Sequence, residues 1–90
     1  MEKESVMWFM LNKLVRMNKI GGSHTEIKNI TKGLPEQFTR NKKGRKIIRE
    51  AIKELINKEL IRVKPSTGEI HVSINPEKIS EVSEFLNVYK

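Results

Sequence analysis

The twenty residues from Arg45 to Lys64, RKIIREAIKELINKELIRVK, change their hydrophobic period part-way along. Ile47, Ile48, Ala51, Ile52, Leu55 and Ile56 recur at three- and four-residue spacing, which lines them along one side of a helix running from about Arg45 to Lys58. From Ile61 the period falls to two, and Ile61 and Val63 alternate with Arg62 and Lys64 as in a half-buried strand. Beyond Pro65-Ser66-Thr67-Gly68, Ile70, Val72 and Ile74 alternate with His71 and Ser73, so the two runs predict a β-hairpin. A turn centred on Ser66-Thr67 sets Val63 against Ile70 and Ile61 against Val72 on one face. On the other it sets Lys64 opposite Glu69 and Arg62 opposite His71.

Working outward, Val6, Met7, Phe9, Met10, Leu14, Val15 and Met17 predict an amphipathic helix from Ser5 to Asn18, stopped by Gly21-Gly22. Ser23 followed by Glu26 has the spacing of a capping box, from which Ile27 and Ile30 carry a short helix to Lys32. Gly33, Leu34 and Pro35 read as a helix end and a break. Between Pro35 and Gly44, Pro35 could open an extra helical turn burying Phe38, but Thr39, Asn41 and Gly44 favour a loop, and the expectation is a long turn. After the hairpin, Asn75 as N-cap and Pro76 at the first helical position open a last helix, with Ile79, Val82, Leu86 and Tyr89 as its stripe. The expected fold class is α+β, mostly α, in one domain over residues 1–90, with a core over 5–74 and a C-terminal helix over 76–89.

Ninety residues at 37% apolar and 32% charged suit one small soluble core. There is no Cys, which removes disulfides, thiolate nucleophiles and Cys-based metal sites. All eleven acids are Glu, so the residue most used in two-metal phosphoryl chemistry is missing too. No nucleophile–base pair or Gly-rich phosphate loop is present, and an enzyme is the weakest reading. His24 and His71 lie far apart in the chain, so neither metal nor cofactor is expected. The run Val6 to Leu11 is too short for a membrane span or a signal sequence, and a cytoplasmic location is expected.

Three helices, a hairpin and a last helix make the layout of a winged helix-turn-helix domain. The segment Ile47 to Ile61, IIREAIKELINKELI, resembles the recognition helix and first wing strand of small prokaryotic regulators. More loosely, HTEIKNI with KGLP, and STGEIHVSINPEKI, resemble small archaeal winged-helix proteins. The resemblance covers about Ser5 to Ile74 and implies duplex-DNA binding and transcriptional regulation. It departs at Glu59, where such regulators usually carry Gly, and in the nearly ten-residue connection before the third helix.

Lys and Arg total 18 against 11 Glu, a formal charge of +7, which points to a polyanionic partner. From Thr39 to Lys53 seven basic residues face one acid, so most of the excess is local. At about 100° per residue, Lys42, Arg45, Lys46, Arg49 and Lys53 share about a third of the third helix's circumference, opposite the isoleucine stripe. Arg45 and Arg49 are the expected base readers. Lys42, Lys43, Lys46 and Lys53 are the expected phosphate contacts, with Arg40 beside them. Arg62 and Lys64 on the hairpin complete the set, although an ordinary amphipathic hairpin has such a face too. Glu50 and Glu54 border the ridge, within reach of Lys46, Lys53 or Lys58. Trp8, Phe9, Phe85, Leu86 and Tyr89 serve either one monomer's core or a two-fold homodimer, and the dimer is the expectation. The rival to DNA binding is a protein-interaction module inside a nucleic-acid-processing assembly.

Overall fold

The computed structural model describes residues 2–89. Helix α1 (Glu2–Arg16) is followed by a two-residue strand β1 (Thr25–Glu26), helix α2 (Ile27–Thr31), a single helical turn α3 (Glu36–Thr39) and helix α4 (Lys42–Asn57). Strands β2 (Ile61–Ser66) and β3 (Glu69–Ile74) form the hairpin, and a 3-10 turn (Pro76–Lys78) leads into α5 (Ile79–Val88). The architecture is α+β, with a three-stranded antiparallel sheet in the order β1-β3-β2.

The core is built from α1 outward: Val6, Met7, Met10, Leu11 and Leu14 are fully buried. They meet Ile30 of α2, Phe38 of α3, Ala51 and Leu55 of α4, Ile61, Val72 and Ile74 of the sheet, and Val82 of α5. Val15, expected on the buried stripe, is instead 41% exposed, and Leu11 takes the inner position. On α5 only Val82 of the expected stripe is buried. Ile79 and Tyr89 lie open and Leu86 is half-covered.

Both long helices end in the same way. Lys19 N–H donates to Leu14 O and Asn18 N–H to Val15 O, with Asn18 at φ +57°; Leu60 N–H donates to Leu55 O and Glu59 N–H to Ile56 O, with Glu59 at φ +60°. This closes the last turn around one left-handed residue and satisfies the final carbonyls. Glu59 thus stands where glycine fits best, at the very position where the sequence departs from the regulator pattern.

Four expectations are corrected. The pair Ser23 and Glu26 does not cap a helix: Thr25 pairs with Val72 and Glu26 with His71, so the segment becomes a sheet edge and α2 starts only at Ile27. The hairpin, expected to stand as a two-stranded wing, is accordingly part of a three-stranded sheet. Residues 35–44 are not a loop, because α3 buries Phe38 and α4 begins at Lys42, capped by Asn41, whose side chain accepts from Gly44 N at 2.7 Å. The hairpin turns at Thr67-Gly68, with Gly68 at φ +71° and Ser66 paired with Glu69. Val63 therefore faces Val72 and Ile61 faces Ile74, while Lys64 faces His71 and Arg62 faces Ser73. The shift is two residues, so each side chain keeps its expected face. The hairpin projects beyond the core, leaving Val63 40% and Ile70 50% exposed.

Candidate nucleic-acid interface

Helix α4 packs by a narrow line. Gly44, Ala51 and Leu55 are buried, with Ile47, Ile48 and Ile52 half-covered on either side. Gly44 permits the closest approach: a Cβ there would lie 2.3 Å from Gln37 O and 2.5 Å from Phe38 Cα. This backbone contact fixes α4 against α3, and only Arg40 and Asn41 separate the two helices. A helix turns by about 100° per residue, so the buried line directs Lys42, Arg45, Lys46, Arg49 and Lys53 to the far side. All five are exposed, on a ridge about 16 Å long from Lys42 to Lys53.

The remaining expected residues flank this ridge. Lys43 is exposed but turned toward Glu2, Gln37 and Phe38, with which it lines a small cleft. Arg40, at the end of α3, pairs with Glu36 at 3.5 Å. Arg62 and Lys64 lie exposed on β2, and Arg62 reaches Glu77 at 3.9 Å. Among the described residues no ion pair engages Lys42, Lys43, Arg45, Lys46, Arg49, Lys53 or Lys64.

The acids of α4 leave the ridge alone. Glu54 turns to Lys3 of α1 at 2.5 Å and to Lys58 at 3.6 Å, and pairs with neither Lys46 nor Lys53. The hydrogen bond from Lys3, helped by the charge of Lys58, holds the Glu54 carboxyl below its ordinary value and raises Lys3 in turn. The first turn of α4 has no acid and carries Lys42 and Lys43 at the positive end of the helix dipole. Each such lysine costs the isolated fold about 0.3–1 kcal/mol, a cost that a bound anion would offset.

Sequence reasoning missed two features. Thr31 of α2 and Thr39 of α3 join Arg45, Ile48 and Arg49 around a shallow groove of about 320 Å³ beside the ridge. No local pattern links residues from three helices. The two histidines expected to be remote are in contact, Nδ1 to Nδ1 at 2.8 Å, because β1 lies beside β3. Among the described residues no group of three or more His or Glu side chains is arranged to hold a metal ion. No helix there is long and apolar enough to cross a membrane.

The five residues expected at a dimer interface separate. Trp8 donates from Nε1 to Leu86 O at 2.9 Å, tying α1 to α5 within one chain. Phe9 lies toward Gly33 and Lys13. Phe85 stacks on Tyr89 and, with Val88, Leu60, Lys58, Glu81 and Glu84, lines an open groove of about 390 Å³.

No family model matches the chain, and neither a curated protein nor a solved structure matches it.

Proposed function

We propose that this chain is a winged-helix protein that binds duplex DNA, with α4 in the major groove and the β2–β3 hairpin as its wing, and that it acts in transcriptional regulation. The observation that carries the reading is the ridge Lys42, Arg45, Lys46, Arg49 and Lys53, exposed, without ion pairs among the described residues and opposite the buried line of α4. The order α1, α2, α3, α4, hairpin supports it, with α3 joined to α4 through Arg40 and Asn41. A groove about 12 Å wide admits one helix, whose lysines meet phosphates while Arg45 and Arg49 fork onto base edges. The half-buried Ile48 beside them offers an apolar contact for a thymine methyl.

Neutralising about five phosphates gives log K a slope against log salt near −4 to −5. The test is duplex titration at two salt concentrations, with the wild type and with a Lys46→Glu, Arg49→Glu, Lys53→Glu triple variant. Salt-sensitive binding by the wild type, lost in a variant whose circular dichroism is unchanged, is the expected result. Equal binding by both proteins refutes the assignment to α4.

A second reading, a protein-interaction module, is favoured by the α5 groove. Its floor is Leu60 and Phe85, and its rim carries Val88 at 67% exposure with Lys58, Glu81 and Glu84 around it. Self-association, if this face supports it, uses Phe85, Val88 and Tyr89, since Trp8 and Leu86 are engaged within the chain. Absence of DNA binding by the wild type at low salt decides for this reading.

A further inference from the structure

Away from the ridge, the outer face of the sheet holds two imidazoles in direct contact. His24 lies just before β1 and His71 in the middle of β3; their rings meet edge-on, with centroids 4.8 Å apart and planes at 69°. The Nδ1–Nδ1 separation of 2.8 Å is a hydrogen bond, so one facing nitrogen carries a proton and the other is bare. The other nitrogen of His71, Nε2, lies 2.9 Å from Glu69 Oε1 and donates to it. With that hydrogen committed, neutral His71 offers a bare Nδ1 and accepts from His24.

A first added proton, taken at Nε2 of His24, the ring nitrogen outside the contact, preserves the hydrogen bond, since Nδ1 of His24 still donates to the bare Nδ1 of His71. A second cannot be accommodated. It puts N–H on both facing nitrogens and sets two cations about one ring-length apart. The surroundings sharpen the difference. Lys64 of β2 sits opposite His71 in register and Lys19 approaches from the loop after α1, both positive. Of the acids, Glu69 is bound to His71, while Glu26, opposite His71 on β1, faces Lys28 at 3.8 Å. Desolvation, then the charges of Lys64, His71 and Lys19, hold His24 below the ordinary imidazole value of 6.5.

We propose that His24 and His71 form a proton-counting clasp between the β1 edge and the hairpin, closed with no or one added proton and opened by the second. Opening frees the hairpin from Thr25 and Glu26 and leaves extra positive charge beside Lys64. The consequence for binding rests on the DNA reading. A duplex favours the more positive hairpin and so draws the second proton, and by linkage acidification strengthens binding.

Two measurements separate the parts. Ring-nitrogen NMR between pH 8 and pH 4 should show the pair titrating in two coupled steps. Amide protection at the β1–β3 pairing should be lost only with the second step, and in His24→Gln that protection should not change with pH over the same range. The His24 step should also move up in His71→Gln. Independent titration of the rings, with His24 unmoved in His71→Gln, overturns the clasp. Duplex affinity at fixed salt should rise about five- to tenfold across the second step in the wild type, as one further contacting charge requires, and not in His24→Gln. If the NMR steps appear and the pH gain does not, the coupling to DNA is refuted. If no duplex binds at any pH, it is the DNA reading that fails, and the NMR result alone upholds or overturns the clasp.

Discussion

Replacing Gly44 by Ala should destabilise this protein even though alanine is the better helix former. In open space the change would gain about 1 kcal/mol, since glycine in a helix interior is that much less favourable. Here the added Cβ would stand 2.3 Å from Gln37 O, 2.5 Å from Phe38 Cα and 2.8 Å from Phe38 C, all backbone atoms of α3. Ordinary contacts are about 3.5–4.0 Å, so α3 and α4 must part by about 1 Å. Separation of that size withdraws Phe38 from the core and stretches the cap, in which Asn41 accepts from Gly44 N and donates to Gln37 O at 3.1 Å. Overpacking costs about 1–3 kcal/mol and a lost N-cap about 1 kcal/mol, against the 1 kcal/mol regained. The net loss is about 1–3 kcal/mol, which in a domain of this size lowers Tm by about 5 to 20 °C. Thermal and urea denaturation followed by circular dichroism measures it. Gly22→Ala serves as control, because nothing lies within 4 Å of a Cβ there. A Gly44→Ala protein as stable as the wild type, or more so, refutes the close α3–α4 approach and with it the orientation of the ridge.

Glu59→Gly should raise stability by about 0.5–1 kcal/mol. The residue is at φ +60°, where a side chain costs about 1–2 kcal/mol, and the added freedom of the unfolded chain returns part of the gain. A lower urea midpoint in the variant contradicts this. Glu54→Gln should flatten the acid limb of the stability profile. Because the folded carboxyl titrates below its ordinary value of 4.5, the contribution of its pairing with Lys3 and Lys58 is complete above that pH and is lost as the pH falls through the folded value. The wild-type advantage over Glu54→Gln should therefore be present at pH 7 and shrink below pH 4.5; an advantage constant down to pH 2 refutes the pairing.

Periodicity alone was enough to find α1, α4, the hairpin and the last helix, since each buries one face and its sequence must repeat with its geometry. The ridge was legible for the same reason: once Ala51 and Leu55 are inside, Arg49 and Lys53 are outside. The register error at Ser66-Thr67 left the faces intact because two residues are one full strand period. Asn41 did carry the signal of an N-cap, but Gly44 three residues later argued against a helix, and only the packing of α3 shows that this glycine is there to let two backbones touch.

What the chain determined locally is its amphiphiles: where helices and strands run, which side of each is apolar, and that the positive charge gathers on one helix face. Tertiary structure decided the rest. It turned Thr25-Glu26 from a helix cap into a strand, because β3 offered hydrogen bonds the local pattern could not foresee. The same docking brought His24 onto His71, and the packing of α1 on α4 turned Glu54 to Lys3 and away from the ridge. Contacts between residues tens of positions apart depend on which surfaces meet, and a single chain's periodicity specifies only the surfaces.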